Sequence, residues 1–87
     1  MNTTKLATFK AKIESILHPW QWHPTADQLA RLAQEFVQKE PKTQIQALTI
    51  FLRHFPGQKF LTFDGVDNSD YSTLLTLALA DAKAASK

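Results

Sequence analysis

The sequence predicts an all-α fold, a small single-domain bundle of four helices with an irregular segment before the last helix. Four segments repeat apolar residues at spacings of three, four and seven, which is the pattern that lines one side of an α-helix. All four prolines fall between these segments. A chain of 87 residues has room for one hydrophobic core, so we expect residues 1–87 to form one helical domain.

The first two helices are predicted on either side of a proline-rich connection. The first runs from Lys5 to Leu17, with an inward face of Leu6, Phe9, Ile13, Ile16 and Leu17. The second begins after Thr25, because Thr25 and Gln28 have the spacing of a capping box, and continues to about Lys39. Its predicted apolar stripe is Leu29, Leu32, Ala33, Phe36 and Val37.

The third helix is predicted from about Lys42 to Phe55. Thr43 and Gln46 offer a second capping box at its start, and the Pro-Gly pair at 56–57 breaks the helical pattern at its end. The predicted inward face is Ile45, Leu48, Phe51, Leu52 and Phe55.

Residues 56–70 are predicted to form an irregular segment, with Phe60 and Phe63 turned toward the core. Ser69 or Asp70 is expected to cap the fourth helix, because short polar side chains can bond the free backbone N–H groups of a first turn. The predicted stripe of that helix is Tyr71, Leu74, Leu75, Ala78, Leu79 and Ala82.

The stretch HPWQWHP at 18–24 is either a metal site or a rigid corner between helices. His18 and His23 are five residues apart, whereas two histidine ligands on one helix face are four apart. Proline also disfavours helical geometry in the residue that precedes it. We therefore expect a corner in which at least one of Trp20 and Trp22 caps the core, while an exposed indole becomes a candidate partner contact.

The acidic stretch DGVDNSD at 64–70 resembles a calcium-binding loop only in composition. An EF-hand loop starting at Asp64 would need an oxygen ligand at Val66, a glycine at Ser69 and an acid at Leu75. Because none of these conditions is met, we predict a turn followed by a helix start, and no metal site.

Composition and motifs exclude several classes of function. Cysteine is absent, which rules out disulfides, thiolate ligands and cysteine nucleophiles. The two glycines cannot form a glycine-rich phosphate loop, and no serine lies in a nucleophile elbow. No apolar run approaches the length of a membrane span. We therefore expect a cytoplasmic protein that is not an enzyme, with no cofactor, no membrane partner and no small-molecule substrate.

The first functional hypothesis is a small protein-protein interaction module, such as an adaptor, regulator or inhibitor. Ile50 and Leu77 fall off the predicted apolar stripes of their helices, so both are expected to be exposed. Together with Trp20 and Trp22 they would bind a protein partner or a second copy of the chain through apolar contacts outside the core.

The alternative is a nucleic-acid-binding regulator, because residues 31–55 resemble in outline a helix-turn-helix. Leu32–Phe36 would belong to the first helix of that motif, with Ile45 and Leu48 on the second. The predicted base-reading side chains are Gln44, Gln46, Thr49 and Arg53, with Lys39 and Lys42 on phosphates. The connection is longer than the usual tight turn, and basic residues are spread over the chain instead of forming one stripe.

Overall fold

The computed structural model describes residues 3–60 and 69–85, and these form a compact bundle of four helices. The helices are α1 (Thr3–Leu17), α2 (Ala26–Lys39), α3 (Gln44–His54) and α4 (Ser69–Ala85). The predicted all-α fold and the order of its elements are therefore confirmed. The predicted irregular structure at 61–68, including Phe63, and the capping side chains at 69 and 70 lie outside the described residues.

The core forms where α1 packs along α4 and α2 closes over both helices. Every residue of the predicted α1 face is buried, and so are four of the five on α2. The rings of Phe9 and Phe36 meet edge to face with centroids 5.2 Å apart, which joins α1 to α2 at the centre. On α4 the small residues Ala78 and Ala82 are buried, so its backbone can approach its neighbours closely.

Local hydrogen bonds begin α2 and α3 in different ways. At α2 the predicted capping box is complete, because Gln28 N donates to Thr25 Oγ1 at 3.1 Å and Thr25 N donates to Gln28 Oε1 at 2.9 Å. At α3, Thr43 Oγ1 accepts from Gln46 N, but Gln46 Oε1 accepts from Lys42 N at 2.7 Å instead of from Thr43 N. The Gln46 side chain therefore holds the turn that precedes the cap.

The helix ends use left-handed backbone conformations. His18 follows α1 with φ 53° and donates its N–H to Glu14 O, while Glu40 follows α2 with φ 47° and donates to Phe36 O. Pro19 disfavours the right-handed helical region at His18, so α1 ends at Leu17, where the sequence predicts its end.

The predicted inward face of α3 is wrong at two positions. Ile45 and Leu52 are exposed, whereas Gln44, Ala47, Ile50 and Phe51 are buried. At 3.6 residues per turn, Ile45 lies about 140° around the helix axis from Ile50, so the two residues cannot both face the core. The helix carries apolar residues on both sides, and packing against α2 selects the side with Ala47, where a small residue permits close approach.

Candidate functional site

The corner at 18–24 is built around one buried and one exposed tryptophan. Trp22 is only 4% exposed, and its ring packs against Phe51 and Phe55 at centroid distances of 5.2 and 5.5 Å. Trp20 is 47% exposed. Trp22 therefore caps the apolar end of the bundle, as predicted for one of the two indoles, and Trp20 is left accessible to a partner.

The corner is tied to the segment that follows α3. Trp20 N donates to Lys59 O at 2.9 Å, and Gln58 Nε2 donates to Trp20 O at 2.6 Å. Phe60, which pairs with Pro19 across an isolated β-bridge, is partly buried against the core as predicted. These bonds fix the backbone at Trp20 although its side chain is exposed.

Burial corrects two of the four residues expected to contact a partner. Trp22 and Ile50 are each 4% exposed, so both stabilise the core and neither can present a contact surface in the folded chain. Ile50 is buried because it lies about 140° around α3 from the exposed Ile45, on the side that faces the core, contrary to the predicted orientation. Leu77 is 46% exposed, as predicted, and Trp20 is the exposed one of the two indoles, a choice that the sequence left open.

The largest apolar exposure missed by sequence analysis is on α3. Ile45 is 50% exposed and Leu52 is 37% exposed, and seven residues bring them to the same side of the helix. Leu48, three residues after Ile45, is partly buried between this side and the core. Ile45 and Leu52 belong to an apolar repeat that is visible in the sequence, but that repeat was predicted to face the core.

A cavity of about 250 Å³ lies between the end of α2 and the polar side of α3. It is lined by Lys39, Pro41, Gln46, Thr49, Ile50 and Arg53. Lys39 makes no ion pair within the described part of the chain. Because the Gln46 carbonyl oxygen is occupied by Lys42 N, its amide N–H groups are the atoms available to a ligand.

Glu35 positions Arg53 at the edge of this cavity. Arg53 Nη1 lies 2.6 Å from Glu35 Oε2, and His54 Nε2 lies 2.8 Å from Glu35 Oε1. The Glu35 side chain is only 17% exposed, so one carboxylate of α2 holds two consecutive basic residues of α3. The remaining N–H groups of the Arg53 guanidinium stay available for another acceptor.

The structure brings together most, but not all, of the residues expected to bind nucleic acid. Lys39, Gln46, Thr49 and Arg53 share the cavity described above. Lys42 is exposed and lines a separate cavity of about 150 Å³ that also touches α4.

Gln44 is the exception among these residues, because it is fully buried and cannot read a base edge. Its Nε2 donates to Ile16 O at 2.7 Å. Gln44 turns inward because Ile16 O has no helical donor at the end of α1. In a continuing helix Trp20 N would donate to Ile16 O, but here it donates to Lys59 O. The polar side chain turns inward because that acceptor lies in the core.

Within the described ranges, no three His, Cys, Asp or Glu side chains lie close enough together to hold a metal ion. No helix among the described residues combines the length and apolar character needed to cross a membrane. No protein-family model, curated protein or solved structure matches the chain.

Proposed function

We propose that the protein is a small non-enzymatic interaction module that binds a protein partner through the outer side of α3. The observation that carries this proposal is the exposure of Ile45 and Leu52 on one side of a helix whose other side is buried. Two large aliphatic side chains exposed on the same side of a rigid helix provide apolar area that association can remove from water.

The environment of these residues supports a contact surface. Thr49 and Arg53 lie beside Ile45 and Leu52 on the exposed side of α3, so an apolar strip borders a polar one. Protein interfaces have this composition, with a desolvated apolar centre and a polar rim. The Glu35 bonds to Arg53 and His54 attach α3 to α2, which limits the conformational entropy lost when a partner binds. Trp20 and Leu77 remain predicted contacts on other elements.

The test compares immobilised wild-type protein with Ile45→Asp, Leu52→Asp and Ala11→Asp for proteins retained from a lysate of its source. Ala11 is an exposed helical residue on α1, so its variant controls for a new aspartate in a helix. We expect a partner that the wild type and Ala11→Asp retain and that both α3 variants lose, while circular dichroism shows all chains folded. Retention of the same proteins by all four chains would contradict the proposal.

The alternative function is nucleic-acid binding through the polar side of the same helix. The convergence of Lys39, Gln46, Thr49 and Arg53 on one cavity, with Lys42 exposed nearby, favours it. This function predicts that the anisotropy of a labelled duplex or single strand rises with protein concentration, and that affinity falls log-linearly with salt. Lys42→Ala should then weaken binding, and flat anisotropy at low salt would exclude this alternative.

A further inference from the structure

The cavity lined by Lys39, Gln46 and Arg53 lies beside the exposed pair Ile45 and Leu52, and its donors are those of an anion-binding site. Three of its polar residues present donors: the Lys39 ammonium, the Gln46 amide N–H groups and the Arg53 N–H groups not used by Glu35. Thr49 adds no donor, because its hydroxyl proton is already given to Ile45 O. A ligand that supplies acceptors and negative charge is therefore the complementary one.

Local charge balance indicates a single anionic group. Lys39 and Arg53 carry two positive charges, and Glu35, paired with Arg53, supplies one negative charge. Of the two positive charges that line the cavity, that of Lys39 makes no ion pair within the described part of the chain. A carboxylate between Lys39 and Arg53 would neutralise that charge and receive charge-assisted hydrogen bonds.

The cavity is open to solvent and is large enough to receive one side chain of a partner. A volume of about 250 Å³ is below the range of roughly 300–1,000 Å³ typical of pockets for drug-sized ligands and cofactors. Pro41 and Ile50 also line the cavity, but both are buried, so the exposed groups of Lys39, Gln46 and Arg53 determine which ligand it accepts. The cavity and the exposed side chains of Ile45 and Leu52 lie on the same half of α3, so one helix or strand of a partner can reach both.

We propose that the occupant of this surface is an acidic amphipathic helix of a partner protein. Its apolar residues cover Ile45 and Leu52, and one of its carboxylates enters the cavity between Lys39 and Arg53. This inference rests on the proposed function and deepens it by naming the chemistry of the partner. An amphipathic helix suits the site because residues three, four and seven apart present one apolar edge, with a charged residue beside it.

The test is a selection from a displayed library of helical peptides, with leucines fixed at three- and four-residue spacing and all other positions randomised. We expect aspartate or glutamate to be enriched at one position next to the leucine edge. Lys39→Glu should weaken the selected peptide by about tenfold or more, and replacing the peptide's acid with lysine should restore binding to that variant.

Arg31→Glu is the matched control, because Arg31 is an exposed cation on the same helix as Lys39 but does not line the cavity. It should leave the affinity within about twofold of wild type, since an exposed charge at a distance is screened by salt. Lys39 is the better probe than Arg53, because changing Arg53 would also break its bond to Glu35.

The outcomes separate this inference from the function on which it depends. The selected peptides could lack an acidic preference, bind wild type and Lys39→Glu equally, and fail to bind Leu52→Asp. That result would overturn the acidic-helix inference and leave the proposed interaction surface in place. Failure to select any peptide, or selection insensitive to Leu52→Asp, would contradict both. Sedimentation showing that the chain self-associates through Leu52, or displacement of the peptide by duplex DNA, would identify a different occupant and overturn the inference.

Discussion

Replacing Gln44 with methionine should lower the free energy of unfolding, because it removes a donor from a buried backbone acceptor. Gln44 Nε2 donates to Ile16 O at 2.7 Å, and the glutamine side chain is fully buried. Methionine is also unbranched and close to glutamine in size, so the substitution changes the hydrogen bond more than the packing. The Ile16 carbonyl would then be buried without the glutamine amide.

An unsatisfied buried acceptor costs about 1–3 kcal/mol. Methionine also removes the buried polar atom Gln44 Oε1 and buries an apolar side chain, and both changes offset part of that loss. We therefore expect Gln44→Met to destabilise the protein by about 1–2 kcal/mol. In a domain of this size that loss corresponds to a fall in Tm of roughly 4–16 °C. Urea unfolding followed by circular dichroism measures it as a lower midpoint with an unchanged slope.

Gln34→Met provides the control, since Gln34 is exposed on α2 and also lies within a helix. Its effect should stay within about 0.5 kcal/mol, as is usual for surface substitutions. If Gln44→Met were as stable as Gln34→Met, the bond to Ile16 O would make no net contribution, and the account of why Gln44 is buried would be refuted.

Three further predictions, each a comparison of two substitutions, test the core and the attachment of α3. Trp22→Phe should lower the free energy of unfolding by less than about 1.5 kcal/mol, and Trp22→Ala by about 3–5 kcal/mol. Phenylalanine keeps most of the packing, and the buried indole N–H that it removes has no acceptor among the described residues. Equal losses of stability in urea unfolding would contradict this. Glu35→Gln should lower the free energy of unfolding by about 1 kcal/mol, because Glu35 is mostly buried and bonds two basic residues. Glu14→Gln should lower it by only about 0.3–0.5 kcal/mol, because Glu14 pairs with Lys10 at an exposed position. Similar Tm values for these two variants would count against that difference. Ile50→Ala should cost about 2–4 kcal/mol and Ile45→Ala less than about 0.5 kcal/mol, and the reverse order in chemical denaturation would overturn the orientation of α3.

The elements that could be predicted from the sequence are those specified by short-range interactions. The start of α2 depends on Thr25 and Gln28, three residues apart, and both capping bonds form within that span. The end of α1 depends on Pro19 acting on the residue before it. The apolar side of α1 was correctly predicted because its apolar residues form a single stripe.

The candidate surface was only partly predictable, because exposure depends on what packs against each helix. Leu77 is exposed as expected, but Ile50 is buried, and the exposed pair on α3 is Ile45 and Leu52. Helix α3 has apolar residues on two sides, so periodicity alone does not determine which side is buried. Lys39, Gln46, Thr49 and Arg53 were grouped from the sequence as predicted nucleic-acid contacts. The cavity that they line was not predicted, since it forms between two helices and the turn that joins them.

The number of helices, their order and most of their boundaries follow from local sequence, because caps, proline breaks and apolar spacing act within a few residues of one another. The orientation of α3, and with it the exposed side of that helix, depends on tertiary packing. That orientation depends on contacts between distant parts of the chain: Gln44 turns inward toward the free carbonyl of Ile16, 28 residues earlier. The same packing exposes Ile45 and Leu52 and forms the cavity beside them, since a helix with two apolar sides can bury only the one its neighbours cover.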